Sequence, residues 1–129
     1  PLCEELMTLG SYKQFVLSCD GLGVFGTSAR PKVLWVSVSD HETLNSLRSQ
    51  TNRILDQFSI ARDSQKYRPH ITIARFKRKD PGKHLARFLE IKAMNCYFEF
   101  KAEQIDLYSS QLSHNGPRYE EIYSVDLLK

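Results

Sequence analysis

The nine residues Tyr67-Arg68-Pro69-His70-Ile71-Thr72-Ile73-Ala74-Arg75 constrain the fold more than any other stretch of the chain. Proline cannot donate to a sheet ladder and sits at the first residue of a strand or on an edge, so Pro69 marks a strand entry. Beyond it, side chains alternate with a period of two. That places His70, Thr72 and Ala74 on one face and Ile71 and Ile73 on the other. One face can join a core while the other presents an imidazole and a hydroxyl. Regular alternation turns Arg75 away from His70 and Thr72, unless the strand ends or bulges near Ala74. Imidazole, hydroxyl and guanidinium are the groups that bind a phosphate and move protons beside it.

The remaining segments suit an α+β fold with antiparallel sheet. Residues 2–9 read as a helix end, with Leu2, Cys3, Leu6 and Met7 on one side and Gly10 as its stop. Gln14 to Ser18 and Lys32 to Val38 read as strands, with Gly21, Gly23, Gly26 and Pro31 marking a loop between them. Asp40 is an N-cap candidate for a helix to about Phe58, on whose apolar stripe lie Leu44, Leu47, Ile54, Leu55 and Phe58, interrupted by Thr51. Asp80-Pro81 would open a second helix burying Leu85, Phe88 and Leu89. A strand from Tyr97 to Tyr108, a turn at Asn115-Gly116-Pro117 and a strand from Glu121 to Leu127 close the chain.

With 129 residues, 41% apolar and 26% charged, the chain fits one ordinary globular domain, residues 1–129. No apolar run approaches the roughly 18 residues of a membrane span, so no membrane partner is expected. Cys3, Cys19 and Cys96 form no CxxC pair, which favours reduced thiols and a cytoplasmic protein. The net charge of +3 is unevenly spread. Residues 66–92 hold nine Lys and Arg (Lys66, Arg68, Arg75, Lys77, Arg78, Lys79, Lys83, Arg87, Lys92) against Asp80 and Glu90. A basic block beside a candidate site favours a polyanion such as RNA, although charge runs are more often simply solvated.

A His-x-Thr triplet alone proves little, since a His-x-Ser/Thr match arises by composition on the order of once in a few hundred residues. His41-Glu42-Thr43 is a second one, at a helix start where a histidine is ordinarily solvent-exposed. His84 and His114, at a helix start and in a turn, read as surface residues. The longer string Arg68-Pro69-His70-Ile71-Thr72-Ile73-Ala74-Arg75 closely resembles the second signature of the 2H phosphoesterases, in their RNA 2′,3′-cyclic phosphodiesterase (2′-5′ RNA ligase-like, LigT-type) branch. Gly23-Val24-Phe25-Gly26, then Arg30-Pro31-Lys32-Val33-Leu34-Trp35-Val36, is similar to that family's segment between its two motifs. Leu107-Tyr108-Ser109-Ser110-Gln111-Leu112 with Gly116 and Tyr119 is similar to its closing pattern.

The resemblance implies a LigT-like bilobal fold, two antiparallel sheets lining a central cleft with helices outside. It implies two His-x-Thr/Ser motifs facing each other. The first would lie upstream of Pro1, so the chain is expected to be N-terminally incomplete, lacking the first strand, helix and histidine. The implied reaction is hydrolysis of RNA 2′,3′-cyclic phosphate ends to 2′-phosphates, with reversible 2′-5′ ligation as a related activity. His70 would be one of the acid–base pair, the proton acceptor, and Thr72 would donate to a phosphate oxygen. Arg75 would neutralise phosphoryl charge, and Tyr67 and Phe76 would stack on a base, though packing explains both equally well. Two imidazoles suffice for that chemistry, so neither metal nor other cofactor is expected. The partner would be RNA with tRNA-like or other cyclic-phosphate ends, the protein a monomer, and the 129 residues alone inactive. Two alternatives remain, a non-catalytic RNA-binding module and a phosphodiesterase of small cyclic nucleotides.

Overall fold

The computed structural model describes residues 1–27, 31–62, 65–76, 87 and 96–129. The elements, in chain order, are α1 (Leu2–Leu6), a 3-10 helix (Met7–Ser11), β1 (Phe15–Gly26), β2 (Pro31–Val38), α2 (Glu42–Gln57), β3 (His70–Arg75), β4 (Tyr97–Ala102), β5 (Gln104–Ser113) and β6 (Gly116–Asp126). The strands form a four-stranded sheet of order β3-β2-β1-β4 and a two-stranded sheet β5-β6. The pairs β1–β2, β2–β3 and β5–β6 are antiparallel. The α+β class inferred from the sequence is the one observed. The second expected helix, with Asp80, Pro81, Leu85, Phe88 and Leu89, lies outside the described residues.

The chain divides into two compact units. One comprises Pro1–Val16, Asp40–Lys66 and Lys101–Lys129. Its core holds Leu6, Leu9, Phe15, Leu47, Ile54, Val125 and Leu127. Leu47 and Ile54 lie seven residues apart on α2, two turns of one stripe. Thr51 between them is accommodated because its hydroxyl donates to the Leu47 carbonyl, 2.7 Å away. Both chain ends are tied together here: Gln14 N–H donates to the Leu128 carbonyl at 2.7 Å, and Leu128 N–H to that of Tyr12 at 3.0 Å.

The other unit comprises Leu17–Ser39 and Tyr67–Phe100, and the three strands β1, β2 and β3 run through it. Leu17, Cys19, Leu34, Val36 and Val38 are buried there, the last three alternating along β2 as a one-sided strand requires. All three cysteines are free, and burial, reinforced by Cys96, pushes the Cys19 thiol up.

Several boundaries differ from the sequence reading, each for a local reason. The N-terminal helix does not stop at Gly10 but tightens into 3-10 geometry through Ser11. A Cβ on Gly10 would lie 3.1 Å from the Asp126 carbonyl oxygen, so glycine there serves a close approach. Gly21 and Gly23 are not loop residues but lie inside β1: Gly23 pairs with Trp35 of β2, and Gly21, at φ 84° within the register shift between Cys19 and Leu22, donates its N–H to the Cys96 carbonyl at 3.0 Å. Asp40 is not the α2 cap. His41 is, with extended φ −145° and ψ 133°, while Asp40 accepts from Asn45 Nδ2 at 2.7 Å. Phe58 falls just past α2 and is exposed. The strand expected from Tyr97 to Tyr108 is two strands, broken at Glu103. The final turn sits at His114-Asn115, with Gly116 at φ 102° opening β6 five residues before Glu121.

Candidate functional site

The β2–β3 register builds the site. Ser37 pairs with His70, Val36 with Ile71, Trp35 with Thr72, Leu34 with Ala74 and Val33 with Arg75. Between the Trp35 and Leu34 pairs, β2 advances one residue and β3 two, so Ile73 is the extra residue of a β-bulge. Directly opposed residues share a face, and Val33, Trp35 and Ser37 alternate onto one face of β2. His70, Thr72 and Arg75 therefore stand on a single face. The bulge supplies the shift that regular alternation denied to Arg75. On this edge strand Ile71 and Ile73 are 38% and 54% exposed, so the apolar face does not close a core as expected.

His70 is exposed, and its Nδ1 lies 2.6 Å from the Arg68 carbonyl oxygen. A carbonyl only accepts, so Nδ1 carries the proton and Nε2 of the neutral ring carries the lone pair. Pro69 sits between the two partners, and its carbonyl takes the Val38 N–H at 3.0 Å, fixing the strand entry. Thr72 and Arg75 are likewise exposed. Among the described residues, no group of three or more His, Cys, Asp or Glu could hold a metal ion.

On the same face, β1 contributes Gly23 opposite Trp35 and Phe25 opposite Val33. The Phe25 ring meets His70 edge-on, centroids 4.9 Å apart at 88°. It also lies 5.1 Å from Trp35 at 35°, and Trp35 and His70 are 6.1 Å apart. The sequence reading did not place Phe25 or Trp35 in the site. Their signal was the period-two spacing of Gly23 and Phe25, hidden once the glycines were taken for a loop.

Tyr67 and Phe76 are both half-buried. Phe76 N–H donates to the Lys32 carbonyl at 2.9 Å, which continues the β2–β3 ladder by one residue past Arg75. Alternation then directs Phe76 to the Leu34 face, away from His70. Of the basic block, Lys66, Arg68, Arg75 and Arg87 are described and exposed. Lys77, Arg78, Lys79, Lys83, Lys92 and also His84 lie outside the described residues. His114 is exposed in its turn as expected. His41 is not exposed but half-buried: its Nδ1 accepts the Thr43 N–H at 3.0 Å, and its ring packs 4.7 Å from Phe15.

A family model described as the 2′-5′ RNA ligase superfamily matches residues 2–113. The chain is 30% identical over 115 residues to an RNA 2′,3′-cyclic phosphodiesterase of Aeropyrum pernix, covering 88% of this chain and 65% of that protein. It is 35% identical over 114 residues to the protein of that name from Aquifex aeolicus, covering 84% and 60%. With the Archaeoglobus fulgidus protein of that name it shares 26% over 119 residues, covering 92% and 66%. The chain thus spans less than two thirds of the length of these relatives. Among solved structures, E. coli LigT complexed with 3′-AMP superposes with a TM-score of 0.69 at 18% identity, covering 98% of this chain and 68% of that one. The protein TT0787 of Thermus thermophilus gives 0.63 at 22%, covering 96% and 69%. At such identities the structural likeness speaks for the fold: the same two-sheet α+β architecture.

Proposed function

This chain belongs to the 2′-5′ RNA ligase superfamily, and from that premise we propose that it opens 2′,3′-cyclic phosphate ends of RNA to 2′-phosphates. The observation that carries the reading is the single face on which the Ile73 bulge aligns His70, Thr72 and Arg75. The names of the curated relatives point the same way. In the proposed step a water attacks the phosphorus and gives a proton to His70 Nε2. The bond from phosphorus to the ribose 3′-oxygen breaks, and that oxygen takes a proton from a second group. Thr72 donates its hydroxyl to a phosphoryl oxygen, and Arg75 offsets the charge that builds on the phosphoryl group. Imidazole suits the proton transfers because it titrates near neutrality in its ordinary state. The step calls on no metal.

The second proton donor is proposed to be the histidine of another His-x-Thr/Ser motif outside these 129 residues, facing this one in a single bilobal domain. That accords with the relatives being half as long again as the matched stretch. Tyr67 remains a candidate for base stacking, and the exposed cations Lys66, Arg68 and Arg87 for contacts to RNA phosphates. The protein is proposed to act in the cytoplasm, as a monomer.

The test is cyclic-phosphate hydrolysis by the longest natural form of the protein and by its His70→Ala variant. Loss of about 10²–10⁴-fold is expected for a positioned acid or base, and equal rates would sink the assignment. The 129 residues alone should show little or no turnover. Salt-dependent RNA binding with no cleavage by the natural form would favour a binding module instead.

A further inference from the structure

We propose that Phe25 is a positioning residue that holds the His70 imidazole in its reactive orientation; this rests on the cyclic-phosphodiesterase reading above. Among the described residues one hydrogen bond, Nδ1 to the Arg68 carbonyl, fixes one atom of the ring, and by itself it lets the ring pivot about that atom. The plane is set by a second contact, the perpendicular approach of Phe25 at 4.9 Å and 88°. Edge-to-face contact is the favoured geometry for such ring pairs. With both constraints in place, the direction of the Nε2 lone pair is fixed.

Phe25 is itself seated. Its ring leans on the Trp35 indole at 5.1 Å, and that indole lies across Gly23 on the neighbouring strand. A Cβ on Gly23 would fall 2.3 Å from Trp35 Cη2 and Cζ2, so the indole occupies the space a side chain would have filled. Trp35 Nε1 is buried there with no hydrogen-bond partner among the described residues. A buried, unsatisfied N–H is unfavourable, and such departures from local optimality concentrate at functional sites. The indole is therefore not placed for its own hydrogen bonding. It forms the floor against which Phe25, and through it His70, is held.

The experiment compares wild type, Phe25→Leu and Phe25→Tyr in the longest natural form of the protein, with steady-state hydrolysis of a 2′,3′-cyclic phosphate RNA end. Phe25→Leu removes the ring and should lower kcat by about 10–10²-fold, the scale of an ångström-sized misplacement, with KM within about twofold. Phe25→Tyr keeps the ring and should restore kcat. In parallel, the NMR signals of the His70 ring carbons should carry the Phe25 ring-current shift in wild type and Phe25→Tyr, and lose it in Phe25→Leu. A Phe25→Leu enzyme with wild-type kcat, a change confined to KM, or an unmoved His70 signal would overturn the proposal. If Phe25→Leu does not fold, Phe25→Met takes its place with the same expectations. No hydrolysis by wild type would defeat the phosphodiesterase reading itself, and the His70 signals would still decide whether Phe25 holds the ring.

Discussion

Gly23→Ala is the sharpest test of how this sheet face is built. The added Cβ would stand 2.3 Å from two indole carbons of Trp35 and 2.7 Å from a third, whereas non-bonded carbons rest at about 3.5–4.0 Å. The deficit is close to an ångström or more against three atoms of one rigid ring, so no single rotamer tip can yield. The whole indole must move, and Phe25 blocks one direction. Overpacking of this kind typically costs about 1–3 kcal/mol, and a rigid obstacle argues for the upper half of that range. Gly23 does not have positive φ, so alanine is conformationally allowed and stiffens the unfolded chain by about 0.4–1 kcal/mol in the opposite sense. The net expectation is a loss of about 1–2.5 kcal/mol. With a urea m-value of about 1.5 kcal/mol/M, within the range for small proteins, the midpoint should fall by about 0.7–1.7 M. Trp35 is the chain's one tryptophan, so its fluorescence reports both unfolding and the displaced indole. Trp35→Phe in the same background removes the atoms that clash and should recover most of the loss, its unfolding followed by circular dichroism because the indole probe is gone. A Gly23→Ala midpoint within about 0.3 M of wild type, with unchanged emission, would refute the packing argument.

Two further expectations concern the other unit. The hydroxyl of Ser124, 2.6 Å away, and then the Gln104 amide hold the Asp106 carboxyl below the usual carboxylate range. A depressed folded-state pKa stabilises the fold above the unfolded value, and that contribution disappears as pH falls through the folded one. Ser124→Ala should therefore raise the Asp106 titration midpoint followed by carboxyl-carbon NMR, and an unmoved midpoint would show that the hydroxyl is not the cause. His41→Ala removes the acceptor for the Thr43 N–H and should cost about 0.5–2 kcal/mol of stability in urea, while cyclic-phosphate hydrolysis stays at wild-type rate. A hydrolysis defect without destabilisation would instead place His41 in the site.

What could be read in advance followed from local rules, and what could not depended on partners distant in sequence. Pro69 and the alternation after it gave the start of β3 and the common face of His70 and Thr72. The side on which Arg75 emerges is decided by a register shift against Leu34 and Trp35, some forty residues away, and no property of residues 70–75 encodes it. The glycines of β1 misled for the same reason. Gly23 has the composition of a loop, and its purpose becomes visible only when the Trp35 indole is laid over it. At the start of α2, Asp40 and His41 compete for one cap. The backbone gives it to His41, because Asp40 is already engaged by Asn45.

The two His-x-Thr triplets leave their histidines in opposite chemical states although the letters are the same. In His41-Glu42-Thr43, Nδ1 accepts a backbone N–H, so the proton of the neutral ring sits on Nε2. In His70-Ile71-Thr72, Nδ1 donates to a backbone carbonyl, so the lone pair sits on Nε2. The tautomers are opposite, and the cause is local backbone geometry. A helix start presents free N–H groups to the side chain that caps it, whereas the Arg68-Pro69 entry to β3 presents a carbonyl. A base must offer its lone pair outward, toward the substrate. Only the strand-borne triplet does so with the longer reach of Nε2, and only there do a hydroxyl and a guanidinium share its face. Nine letters of sequence singled out the strand-borne triplet, and one hydrogen bond at its entry gives a physical reason to propose it as the base.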